Sequence, residues 1–200
     1  MEKQTIKTIK KFINDPKIKV FIFDFDGIFT HLNVDYYSLK KHLSEYFLSR
    51  YNFKNNFDPL GPNLELLKNE LGLNALKQAY KIIEKYEIKG LRESKVNKEV
   101  ADLIKLIKHT KPDKKIAIFS MNMHKTIKNF LIKNKLIRYI DLIIGKDDVD
   151  KYKPHPDGLN KILLKLKIDK KQALFIGDKE IDLKSGKAAG IKSFRVFKNN

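Results

Sequence analysis

Apolar residues fall along this chain in two rhythms. Short, nearly unbroken runs occur at 18–25 (IKVFIFDF), 116–119 (IAIF), 141–144 (DLII), 173–176 (ALFI) and 193–197 (SFRVF). Runs of that length suit strands buried on both faces. Between the later runs, apolar positions return every three or four residues at 96–108, 124–136, 157–166 and 180–189, the spacing of helices with one packed face. Strands alternating with helices predict an α/β architecture, a parallel sheet covered on both sides. At the amino end, Ile6, Ile9, Phe12 and Ile13 share a helical face over 2–13, and Asn14-Asp15-Pro16 closes it. A short helix packed on the core is expected there, rather than a partner-binding arm.

The interval 31–95 breaks this alternation. Its pattern gives helices at about 36–50, 63–71 and 74–87, with a loop carrying Asp58-Pro59 and Gly61-Pro62. Nothing in it reads as a strand of the same sheet. The chain therefore divides into a core, 1–30 with 96–200, and a helical insert, 31–95, that leaves after the first strand. Within the insert, Tyr36, Tyr37, Tyr46, Phe47 and Tyr51 read as packing residues rather than a platform for nucleic-acid bases.

Ligands of open parallel sheets bind beyond the carboxyl ends of the strands. Those ends are where the reactive residues of this sequence collect. The first strand runs into Asp24 and Asp26, the second into Ser120 and the fourth into Gly177-Asp178, and Lys153 lies in KPHPDG after the third. Two carboxylates about 4 Å apart repel by roughly 4 kcal/mol at an effective dielectric near 20, so the pair requires a cation. Hard oxygen donors without histidine or cysteine suit magnesium. Such an ion, with Lys153, Ser120 and nearby loop amides, would neutralise a phosphate and the charge developed during its transfer. Asp24 is then placed to act as nucleophile, and Asp26, two residues on, to exchange protons if strand geometry persists. His31 and His155 read as exposed loop histidines.

Charge adds a competing reading. Of 200 residues, 42 are basic and 24 acidic, a formal net charge of +18. A basic chain invites nucleic acid as a partner, yet arginine stands only at 50, 92, 138 and 195 and lysines are spread throughout, which is compositional bias more than a base-reading surface. The chain has no cysteine, which fits a reducing, cytoplasmic setting. No apolar run reaches the roughly 18 residues of a membrane span, and the first residues lack the apolar centre of a signal peptide. A small phosphorylated metabolite is the expected partner.

The sequence resembles the haloacid dehalogenase superfamily, in particular its phosphatases and phosphomutases of phosphoglycolate phosphatase type. DFDG at 24–27, Ser120 in IFSMN, Lys153 in KPHPDG and GDKEID, with Asp178 and Asp182, match its four motifs in order. The resemblance implies a Rossmann-like core with a helical cap at 31–95. It implies an aspartyl-phosphate formed on Asp24, which also binds Mg2+, and Asp26 as general acid/base that binds the metal through its carbonyl. Ser120 and the amide of Met121 would hold phosphoryl oxygens, and Lys153 would steady nucleophile and phosphate. Asp178 would be a metal ligand, and Asp182 would support the ion directly or through water. Ile28, His31 and Met121 depart from the pattern of many relatives, beside the substrate and the cap hinge. The expected activity is hydrolysis of a small phosphomonoester. The alternatives are a phosphomutase acting on a sugar phosphate, a basic nucleic-acid-binding or end-processing protein, and a phospho-receiver domain, the last disfavoured by length and by the insert.

Overall fold

The computed structural model describes residues 3–196; residues 2 and 197, assigned above to the first helix and last strand, lie outside them, as does the Ile6 side chain. Among the described residues five strands form one parallel sheet: β1 (Val20–Phe23), β2 (Lys115–Phe119), β3 (Leu142–Ile144), β4 (Ala173–Gly177) and β5 (Lys192–Arg195), in the order β3-β2-β1-β4-β5. The helices of this unit are α1 (Lys3–Ile13), α4 (Lys98–Thr110), α5 (His124–Lys133), α6 (Asp157–Leu166) and α7 (Glu180–Ala189). Between β1 and α4 come α2 (Tyr36–Tyr51) and α3 (Leu60–Leu91). This is the α/β fold that the alternation of runs predicts.

β1 lies at the centre, and all four of its residues are buried. Phe21, Ile22 and Phe23 are fully enclosed, each stabilising the fold by about 1.5–3 kcal/mol. Edge strand β5 is exposed at both ends, at Lys192 and Arg195, charges that discourage pairing with another sheet. Helix α1 is anchored there: Ile9 and Ile13 are buried, and the Phe12 ring lies 5.4 Å from Phe194.

The register lines up the strand ends. Phe23 sits opposite Ile118 of β2 and Ile176 of β4, so Asp24 is level with Phe119 and Gly177. Here one expectation fails. The first strand does not continue through Phe25; after Asp24 N–H bonds to Ile176 O (2.8 Å) the chain turns, with Ile28 and Phe29 N–H both donating to Phe25 O. The turn is favoured because it buries Phe25, Ile28 and Phe29. The Phe25 ring meets Phe130 edge-on at 5.1 Å and stacks on Phe29 at 6.2 Å. Helix α5 also ends earlier than its pattern suggests, at Lys133, because Lys135 adopts positive φ and Leu136 folds back to bond Leu131 O (2.7 Å).

Residues 32–94 form a compact unit of their own, and the residues before and after them form the other. In the smaller unit Asp35 caps α2 by accepting from Ser38 N–H (2.9 Å). The two helices expected at 63–71 and 74–87 are both present within Leu60–Leu91, separated by a kink at Gly72, whose φ of 79° glycine adopts readily. Leu39, Leu43, Phe47, Phe57, Leu64 and Ile83 make the core of the unit. Phe47 packs against Tyr46 and Tyr51, but Tyr36 is 43% and Tyr37 80% exposed, so these two are not the packing residues expected.

Candidate active site

Lys153 is the hub of the strand ends. Its ammonium donates to Asp24 Oδ1 (2.8 Å), Asp182 Oδ1 (2.8 Å) and Phe119 O (2.9 Å), with its side chain only 2% exposed. The Phe119 and Phe175 rings flank it, at 4.6 and 5.2 Å. An ammonium has three donors, and all three are engaged here. Burial pulls the Lys153 pKa down, yet the two carboxylates outweigh it and hold it above the ordinary value. The same burial pushes Asp24 up to about 6, with Asp182 adding and Lys153 opposing. Near neutral pH the ammonium and the Asp24 carboxylate are both charged.

Asp182 reaches Lys153 from the first turn of α7. Its second oxygen accepts from the backbone N–H of Lys179 (3.0 Å), so the same side chain closes the start of its helix. Asp178, at the end of β4, is different. Its Oδ1 is buried and has no hydrogen-bond partner among the described residues. Burial raises its pKa, and the charges of Asp182 and Asp26 add to that rise.

Among the described residues, Asp24, Asp178 and Asp182 each offer an oxygen within 4.8 Å of the others. One ammonium against three carboxylates leaves two negative charges, the complement of a divalent cation. The orphaned Asp178 oxygen, the all-oxygen donors and this charge fit a small hard ion such as Mg2+.

Asp26 stands apart from the cluster. Because the strand has ended, its carboxylate faces Lys179 Nζ (3.7 Å) and His31 Nδ1 (4.0 Å). Gly27, next in the turn, has a φ of 93°, and a Cβ there would collide with the Asp178 carboxylate. We expect Gly27→Ala to lower stability by roughly 1–3 kcal/mol and to weaken divalent-ion binding, measured by urea unfolding and magnesium titration. Unchanged affinity in a strained variant would exclude Asp178 as a ligand.

Ser120 is buried directly after β2, its hydroxyl donating to Asn122 Oδ1 (3.0 Å), and Met121 follows in the same loop, half-buried. His155 is exposed and accepts from Asp157 N–H at the start of α6 (3.2 Å). Three participants escape a reading of the sequence: Asn122, Lys179 and Asn97. Asn97 ties the returning chain to the turn after β1, its N–H donating to Phe29 O (2.7 Å) and its side chain to Ile28 O (3.1 Å), while capping α4. Its position just before the apolar pattern of α4 marks the cap, but nothing local marks the longer bonds.

Comparison with known proteins shows the family of the chain. A relative from Caldanaerobacter subterraneus subsp. tengcongensis, provisionally named pyrophosphatase PpaX, is 28% identical over 90% of this chain and 82% of its own length. Pyrophosphatase PpaX of Bacillus mycoides is 26% identical over 90% and 84%. Among solved structures, one provisionally described as a haloacid dehalogenase-like hydrolase, from Bacteroides fragilis, superposes with a TM-score of 0.64 at 23% identity, covering 88% of this chain and 86% of that one. The family model for haloacid dehalogenase-like hydrolases matches residues 21–196, from the buried first strand through Lys153 and Asp182 to the last strand, and the chain belongs to that family.

Proposed function

We propose that this protein is a magnesium-dependent phosphatase that cleaves small phosphate compounds through an aspartyl-phosphate on Asp24. The observation that carries the reading is the buried contact of Asp24 with Lys153 beside the unpartnered oxygen of Asp178. Asp24, Asp178 and the backbone carbonyl of Asp26 would hold the ion, and when bound it would offset the charge of the phosphate against the carboxylates. Lys153, its donors spent on protein acceptors, fixes the Asp24 oxygen and contributes charge to the phosphate rather than a hydrogen bond. Ser120 and the Met121 amide receive the phosphoryl oxygens. Asp26, on its turn, protonates the leaving oxygen and then takes a proton from the attacking water. The unit 32–94 acts as the cap that selects the leaving group.

A second reading concerns the leaving group. The relatives named as pyrophosphatases point to a phosphoanhydride. Lys179 beside Asp26 favours it, because a cation there would stabilise a leaving group that is itself a phosphate, and His31 adds a hydrogen-bonding group on the same side. A cavity of about 420 Å3 lined by Gly27, His31, Lys95 and Asn97 among others offers room for one.

Phosphate release from a panel of monoesters and pyrophosphate, with magnesium or with chelator, tests both readings. We expect release that chelator abolishes; transfer without release of inorganic phosphate would indicate a mutase instead. Magnesium affinity should fall as pH drops through about 6, because protons compete for Asp24, whose pKa burial raises to about 6, and for Asp178, raised by the same cause. Magnesium-independent turnover would remove the metal from the reading.

A further inference from the structure

The loops after β2 and β3 are laced together more tightly than the sheet requires. Lys146 N–H donates to Asn122 O (2.8 Å), and His124 N–H donates to Asp147 Oδ1 (2.7 Å). His124 Nδ1 lies 2.6 Å from Asp148 Oδ2, and that same oxygen accepts from Gly145 N–H (2.7 Å). The two loops also touch: a Cβ on Gly145 would collide with the backbone nitrogen of His124. Between the fixed ends hang Ser120, Met121 and Asn122. Ser120 is held at one side by its N–H to Ile144 O (3.1 Å), and the His124 pair closes the other.

The ion pair is not explained by helix stability. His124 is the first residue of α5, where a positive charge opposes the helix dipole. The helix has no side-chain cap of its own, and Asp147 supplies one from the neighbouring loop. A cation tolerated at that end, against two carboxylates from another loop, binds loop to loop.

We propose that the His124–Asp148 pair is a clasp that keeps the Ser120–Asn122 loop in the shape that receives phosphoryl oxygens, which makes His124 a positioning residue. This rests on the phosphatase reading, since it is phosphate that the loop is held to bind. The hydrogen bond to Asp148 raises the His124 pKa, outweighing burial, and so favours the charged form of the clasp. Burial pushes Asp148 up, but the bonds from His124 and Gly145 hold it below the ordinary carboxylate range. The other charges facing the pair are Asp147 from the same loop, Lys128 on α5, and Lys165 and Lys161 on α6, the last donating to Asp148 O (3.0 Å). None of these replaces His124 as a donor to Asp148 Oδ2.

The test uses His124→Leu, which removes the donor, and His124→Asn, which retains a neutral donor near Nδ1. The primary readout is the Kd of inorganic phosphate with magnesium present, by calorimetry. We expect about a tenfold weakening for His124→Leu, the size of losing one part-exposed bond between charged groups, and recovery to within about threefold for His124→Asn. With a hydrolysed substrate, KM should rise in parallel while kcat stays within about twofold. The ratio of the His124→Asn Kd to the wild-type Kd should fall toward one as pH rises past the His124 pKa, where the wild type also loses its charge. Equal phosphate affinity in the wild type and His124→Leu overturns the clasp, as does a kcat loss with unchanged KM. Phosphate that binds but is released from no substrate would sink the phosphatase reading instead, and the Kd comparison would still decide the clasp.

Discussion

We expect Asp24→Asn to release phosphate at least about 10^4-fold more slowly than the wild type, the scale of losing a covalent nucleophile. The substitution changes little else. An asparagine oxygen still accepts from Lys153, and the fold sheds a buried carboxylate whose pKa burial has raised to about 6. Thermal stability in the absence of metal should therefore hold or increase near neutral pH, while magnesium binds more weakly. Single-turnover assays beside thermal unfolding separate the two effects. A variant that is folded, binds substrate and turns over at the wild-type rate would show that the nucleophile lies elsewhere.

Lys153→Met has the largest expected effect on stability. It leaves Asp24 and Asp182 facing each other with no cation, and Phe119 O without its donor. Removing one partner of a buried ion pair costs about 3–5 kcal/mol, a large share of the roughly 5–15 kcal/mol that holds a domain of this kind together. The pH dependence follows from sign. Without the ammonium, the Asp24 pKa in the folded protein rises further above the unfolded value near 4. A raised carboxylate contributes its stability below the unfolded pKa and loses it as pH climbs through the folded one. The variant should therefore be most stable near pH 4–5 and weaken toward neutrality. Urea unfolding at pH 5 and 7.5, with Asp182→Asn added in the same background, tests this. The second substitution should restore part of the loss at pH 7.5. A loss equal at both pH values would mean that packing, not charge, dominates at Lys153.

Much of this site is legible in the sequence because its signals are local. A buried strand followed at once by a carboxylate marks Asp24, and a strand, a glycine and a carboxylate mark Asp178. Asp26 shows where local reasoning stops. Spacing of two places it beside Asp24 only if the strand continues, and the burial of Phe25 (against Phe130), Ile28 and Phe29 makes the chain turn instead. The side chain consequently meets Lys179 and His31. Asp182 could be read as a helix-start charge or as support for a metal. Its bond to Lys153 shows a further use, which no pattern on α7 discloses.

By itself the sequence determined the parallel α/β sheet, the helical insert and the chemical character of the strand ends, because burial and periodicity are properties of neighbouring residues. The tertiary structure alone decided which groups meet. Lys153 and Asp24 are 129 positions apart and touch only because β1 lies between β2 and β4 in a register that brings their ends level. The same holds for His124 with Asp148 and Asn97 with Phe29. Each partner looks locally like an ordinary loop residue or helix cap, and the contact arises from the order in which crossovers lay the strands side by side.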